Sequence, residues 1–149
     1  MLDNRRLDLC NYRMSAAEET LQVAKDCFEG THYKDAINRS YYAAFYAVKA
    51  VLALEEKDFK RHKDVMAYFN QMYVASEVFP KDLGRKLARL QQKREKSDYD
   101  DFYMASKEEA ADQINYTEEV IEKVKEYLKK KIVTVQPSNE QLDIAPARK

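Results

Sequence analysis

Two short stretches carry the residues best suited to chemistry. Asn38-Arg39-Ser40-Tyr41-Tyr42-Ala43-Ala44-Phe45-Tyr46 sets one guanidinium at the head of a run of aromatic and small residues. Arg94-Glu-Lys-Ser-Asp98-Tyr99 sets a second guanidinium four residues before a carboxylate and five before a phenol. A guanidinium is planar, always charged, and offers paired donors that match phosphate oxygens. Arg39 therefore reads in two ways: as an exposed or carboxylate-paired residue, or as a phosphate holder at a cleft or dimer seam. Asp98 is placed to orient Arg94. Tyr42 and Tyr99 are placed to stack on a base or fill a seam. A third feature is a basic face, because Arg85, Arg89, Lys93 and Lys96 recur at steps of 4, 4 and 3. Seven basic and two acidic residues lie between 81 and 96, and six acidic and one basic between 98 and 112. The face is either solvated and balanced by its acidic neighbour, or a line of phosphate contacts whose binding falls steeply with salt.

The common catalytic sets are missing from the sequence. Its 2 histidines, His32 and His62, and 2 cysteines, Cys10 and Cys27, have no zinc-ligand spacing. There is no HExxH, no Glu-x-x-His pair, no GxGxxG and no GxxxxGK. Both histidines fall at predicted helix junctions, where they read as solvent-exposed or capping. No metal and no cofactor is expected. Lys+Arg and Asp+Glu are both 26, so the net charge is zero and whole-molecule attraction to nucleic acid is not expected. The longest apolar-rich run, Ser40 to Leu54, holds Lys49 and three tyrosines and is too short to span a bilayer. The N-terminus has no apolar signal region, so a soluble cytoplasmic protein is expected.

These residues need helices to position them. With 2 glycines and 3 prolines in 149 residues, 45% apolar and 35% charged, the chain is built for amphipathic helices and not for a β-sandwich. Leu7, Cys10, Met14, Ala17, Leu21, Ala24 and Phe28 make one face of a first helix, from near Asp3 to Gly30-Thr31. A second, from about Tyr33 to Glu55, is apolar nearly all round and must be central. A third spans His62 to Ser76. A fourth runs from Pro80 to about Lys96, with Leu83, Leu87 and Leu90 inward. Ser97 to Ala105 reads as a loop. Ser106 and Glu109 form a capping box opening a fifth helix, which runs to about Lys131 on Ile114, Thr117, Ile121, Val124 and Leu128. The reading is an all-α bundle of about five helices over residues 1–132, then a flexible tail over 133–149 with a short docking segment at Leu142 to Ile144.

In this order and spacing, Ala36-Ile37-Asn38-Arg39-Ser40-Tyr41-Tyr42-Ala43-Ala44-Phe45-Tyr46-Ala47 and Arg94-x-x-x-Asp98-Tyr99 resemble the HEPN superfamily. The resemblance covers about residues 10 to 128. It is strongest to a branch of short prokaryotic chains first catalogued as an uncharacterised protein family. It implies an up-and-down helical bundle, commonly a homodimer. It also implies a link to minimal nucleotidyltransferases in prokaryotic toxin–antitoxin and defence systems. Many HEPN proteins are metal-independent RNases, marked by an Arg, four to six residues, then a His. In those enzymes the two residues meet at the dimer cleft and cut RNA through its own 2′-hydroxyl.

This sequence departs from that signature. No histidine follows Arg39, Arg85 or Arg94 in range, and neither His32 nor His62 has an arginine five to seven residues before it. Tyrosine, with a pKa near 10, is a poor substitute. The resemblance then implies a non-catalytic module binding nucleotide or RNA, partnered with a nucleotidyltransferase, with Arg39, Tyr42, Arg94, Asp98 and Tyr99 on its functional surface. Tyr99, close after Arg94, resembles the tyrosine that the nucleotidyltransferase modifies in some relatives. Two alternatives stand beside it. One is a divergent metal-independent RNase toxin using a base other than histidine. The other is a homodimeric interaction module, joined through the apolar second helix, without nucleic-acid contact.

Overall fold

The computed structural model describes residues 4–135, and among these there are helices and no strand. In chain order they are α1 (Asn4–Glu29), α2 (Tyr33–Ala53), α3 (His62–Phe69), α4 (Lys81–Tyr99) and α5 (Lys107–Val135), with one π-helical turn, Asn70–Val74, directly after α3. The central position expected of α2 is observed. Thirteen of its 21 residues are buried, including Tyr41, Phe45, Val48 and Leu52. It packs on α1, α3, α4 and α5. Six of the thirteen are alanines, and Ala17 and Ala24 of α1 are fully buried too. Small side chains let these helix backbones approach closely. Thr117 of α5 is also fully buried, and its hydroxyl donates to the Ser40 carbonyl of α2 at 2.7 Å. That bond satisfies a hydroxyl that burial alone would penalise.

The helix ends differ from the sequence reading in instructive ways. Gly30 does not take the left-handed conformation that ends α1; Thr31 does, at φ 65°. The Thr31 N–H bonds the Phe28 carbonyl and the His32 N–H bonds the Cys27 carbonyl, a Schellman cap with Thr31 at the left-handed position. The same pattern closes α2: the Glu56 and Lys57 N–H groups bond Ala53 and Leu52, with Glu56 at φ 56°. The third helix is interrupted by the π turn. Within the turn Tyr73 stacks on Phe69, and beyond it Phe79 packs against Phe69 at a tilt, with ring centroids 5.3 and 5.2 Å away. Gly84 of α4 sits against this turn, and a Cβ there would lie 2.9 Å from Val74 Cγ1, so the approach needs glycine.

Ser97 to Tyr99 are helical, not the start of a loop. Ser97 is buried at 1% exposure, and the Asp100 N–H still reaches the Lys96 carbonyl at 3.0 Å. Burial of Ser97 holds the last turn of α4 on the bundle. The capping box is as expected: the Glu109 N–H donates to Ser106 Oγ at 3.0 Å and the Ser106 N–H to Glu109 Oε1 at 3.2 Å. Helix α5 continues to Val135, past the expected end near Lys131. The rest of the tail, with its docking segment at Leu142 to Ile144, lies outside the described residues.

Candidate functional site

Residues from three helices converge on the middle of α2. Arg39 and Tyr42 lie one turn apart on α2. The Arg39 guanidinium stands 5.1 Å from the Tyr42 ring centroid, and its Nε and Nη2 donate to Asn38 Oδ1 at 3.1 and 2.7 Å. From α4, the Arg94 guanidinium stands 4.7 Å from the Tyr41 centroid and 5.7 Å from that of Tyr42. Tyr42 is thus flanked by two guanidinium groups. Asp98, one turn on, accepts from Arg94 Nη1 at 3.0 Å, the orienting contact expected of it. Neither arginine is an ordinary surface residue: both are partly buried and spread over aromatic faces, where a cation is held by the ring quadrupole.

The third contribution comes from His62, the first residue of α3. Its ring lies 4.2 Å from Phe45, 5.5 Å from Tyr42 and 6.4 Å from Tyr41, centroid to centroid. It is partly buried and caps nothing, so the reading of it as exposed or capping is corrected. Burial first, then the charges of Arg94 and Lys49, hold its pKa below the usual 6.5. The imidazole is therefore neutral at pH 7 and able to accept a proton. Sequence spacing missed it because His62 comes from the start of α3 to the tyrosine rings that the arginines cover, across the fold. His32, by contrast, is exposed at the head of α2.

Several polar atoms here lack partners. Tyr41 Oη, Arg94 Nε and Ser97 Oγ are buried and make no hydrogen bond within the described residues. Burial drives the Tyr41 phenol up to about 12, against the opposing pull of Arg94, so it remains a neutral donor. Two guanidinium groups and a neutral imidazole gather around the partly exposed Tyr42 ring, a set of groups suited to an anion carrying an aromatic group. A phosphate would meet the arginines, and a base the ring faces.

The remaining expected site residues separate from this cluster. Tyr99 is 78% exposed at the end of α4 and touches none of it, and Phe102 and Met104 beyond it are 92% and 86% exposed. Arg85, Arg89, Lys93 and Lys96 turn to another side of α4. Arg85 pairs with Asp82, Lys93 pairs with Glu109 of α5 at 3.3 Å, and Arg89 donates to Tyr116 Oη at 3.1 Å. Part of the basic face is thus balanced by α5, as the bland reading anticipated.

A family model for the HEPN domain matches residues 10–127. The chain belongs to the HEPN domain family. Among its HEPN relatives, a UPF0332 protein of Thermotoga maritima is 32% identical over 130 residues, covering 85% of this chain and 98% of the relative. Two proteins of Methanocaldococcus jannaschii, each named "Putative toxin", are 34% and 29% identical and cover 76% and 75% of this chain. A crystal structure of a HEPN domain protein from Thermotoga maritima shares the fold, with a TM-score of 0.60 at 22% identity over 79% of this chain and 98% of that one. The all-α HEPN architecture read from the sequence is the architecture observed. No helix among the described residues is long and apolar enough to cross a membrane.

His62 offers a direct check on the geometry. A histidine whose pKa is lowered by folding takes up its proton later in the native than in the unfolded state. Its contribution to stability is complete above about 6.5, the unfolded value, and is lost as pH falls from there through the lower folded-state value. The replacement His62→Phe keeps the ring contacts and removes the titration. Urea midpoints of this variant are expected to fall less between pH 7 and pH 5 than those of the parent. Equal slopes would mean that the imidazole is neither desolvated nor held beside the Arg94 and Lys49 charges.

Proposed function

We propose that this HEPN protein is the toxin-like member of a prokaryotic pair. It holds RNA or a nucleotide at the Arg39–Tyr42–Arg94 cluster and works beside a separate minimal nucleotidyltransferase. The observation that carries the reading is Tyr42 between two guanidinium groups, one of which, Arg94, keeps a buried Nε without a partner. Relatives named as toxins support the toxin half. A homodimer, the usual HEPN assembly, belongs to the same reading.

One observation favours a second reading, a metal-independent RNase. His62, packed 4.2 Å from the Phe45 ring and 5.5 Å from that of Tyr42, is kept neutral by burial first and then by the charges of Arg94 and Lys49, and so offers the base that the linear motif lacks. In that reaction the imidazole takes the 2′-hydroxyl proton, O2′ attacks the adjacent phosphorus, and the 5′-oxygen leaves with a proton. The products are a 2′,3′-cyclic phosphate and a 5′-hydroxyl end.

The test is incubation of the purified protein with labelled single-stranded RNA in EDTA. Retarded, uncut RNA supports the binding module. Cyclic-phosphate products that vanish in both His62→Phe and Arg94→Ala support the RNase. RNA neither bound nor cut at low salt overturns both. Pairing is tested by co-expression with a minimal nucleotidyltransferase encoded beside it, where failure to co-elute in gel filtration counts against the partnership.

A further inference from the structure

A groove of about 400 Å³ runs between α4 and α5, on another side of α4 from Arg94. Its two walls have opposite character. The α4 wall presents Arg89, Lys93 and Lys96, and the α5 wall presents Asp112, Gln113 and Tyr116. Gln113 is 3% exposed, and its Oε1 accepts no hydrogen bond within the described residues. A buried amide oxygen without a donor is costly, and folding seldom leaves one unless something else supplies the proton. Two of the three cations have partners: Lys93 in Glu109, and Arg89 in the Tyr116 hydroxyl. Among the described residues Lys96 has only the Tyr103 ring, 5.7 Å away. Among the described residues the groove therefore holds two cations without a carboxylate partner, Lys96 and Arg89, on the first wall, one buried acceptor without a donor on the second, and an aromatic side chain beside the acceptor. Its volume falls within the range of small-molecule sites.

We infer that this groove is a second nucleic-acid subsite, taking one nucleotide of single-stranded RNA whose base carries an exocyclic amine. The amine donates to Gln113 Oε1, the base lies on Tyr116, and the phosphate sits at Lys96 and Arg89. The carboxylates of Glu109 and Asp112 on the α5 wall repel phosphate from that side, which fixes the orientation. Adenine offers such an amine. At the position of that amine uracil carries a carbonyl oxygen, O4, with its one edge donor, N3–H, displaced along the ring, and an oxygen facing Gln113 Oε1 leaves both acceptors unpaired. The inference rests on the reading that this protein holds RNA. It adds a base preference that the arginine cluster does not itself provide.

The experiment is fluorescence anisotropy with end-labelled oligo(A) and oligo(U) octamers on the full chain. The parent protein is expected to bind oligo(A) at least about fivefold more tightly than oligo(U), since a site built around a polar partner rejects a ligand lacking it. Gln113→Leu fills the same space without the acceptor and should abolish the preference, leaving oligo(U) binding within about twofold. Lys96→Ala, at an exposed position that folding tolerates, should weaken both RNAs and lower the salt slope by about one. Arg94→Ala should weaken both equally and keep the preference. Binding that depends on Arg94 but shows no preference, or that ignores Gln113→Leu and Lys96→Ala, overturns the subsite alone. A parent protein that binds neither RNA overturns this inference together with the function it rests on.

Discussion

Arg94→Ala is expected to lower the affinity for single-stranded RNA by about 10- to 150-fold, the effect of losing charge-assisted hydrogen bonds of roughly 1.5–3 kcal/mol to a phosphate. The position favours the upper part of that range. The side chain is 13% exposed, is aimed by Asp98, and lies against two tyrosine rings, so its donors are already oriented before a ligand arrives. Arg94→Lys should recover only part of the loss, because an ammonium restores the charge without the planar fork. The same packing gives Arg94 a share in stability that its sequence position does not reveal: it covers the Tyr41 ring, and Arg94→Ala should melt earlier than the parent. Binding is therefore compared well below both melting temperatures, with circular dichroism confirming the fold. Undiminished affinity in a folded Arg94→Ala protein would remove the cluster from the binding surface.

Phe69→Ala is expected to cost about 3–5 kcal/mol, the range for emptying a fully buried phenylalanine site. Phe69 has no exposure and joins a run of rings: Tyr73 at 5.3 Å, Phe79 at 5.2 Å, and, beyond Phe79, Tyr127 of α5 at 5.1 Å. The site cannot collapse easily, because Tyr73 and Tyr68 both donate to the Glu55 carboxylate and are held in place by it. Small domains have only about 5–15 kcal/mol in total, so the variant should be unfolded in a substantial fraction or in mild urea. Met72, in the adjacent π turn but 48% exposed, is the control, and Met72→Ala should stay within about 0.5 kcal/mol of the parent. A similarly small effect for Phe69→Ala would mean that the rings repack around the gap.

The elements that position the site were legible because their signals are local. The α5 stripe from Ile114 to Leu128 and the Ser106–Glu109 box are patterns of period and spacing, and both appear in the structure where the sequence placed them. The Arg94–Asp98 contact was also legible, being an i,i+4 pair. What the sequence concealed depends on tertiary contacts. Ser97 looks like a loop residue until the bundle buries it. Thr31 and Glu56 adopt a backbone that glycine prefers, and only the hydrogen bonds around them show why. His62 is the largest omission. The arginine–histidine signature is a spacing along the chain, whereas α3 returns this imidazole to the aromatic face of α2. One signal was available: with so few histidines, one heading a short apolar helix next to an aromatic-rich helix invites a search in space. Tyr99 failed in the other direction, being near Arg94 in number yet turned outward.

The burial of α2 also has a consequence for how ligand binding would register in amide deuterium exchange. A helix packed on four sides cannot open by itself, so its slowest amides should exchange only when the whole molecule unfolds. Arg39 and Tyr42 belong to that helix. A ligand bound to them stabilises the global state and should slow those slowest amides all together, by the factor 1 + [L]/Kd. The segment after α4, where Phe102 and Met104 stand in solvent, lies outside that helix and should exchange as fast with ligand as without it. Occupancy of the arginine cluster would thus be most visible in the amides of the deepest helix, away from the exposed surface where protection by a ligand is usually sought.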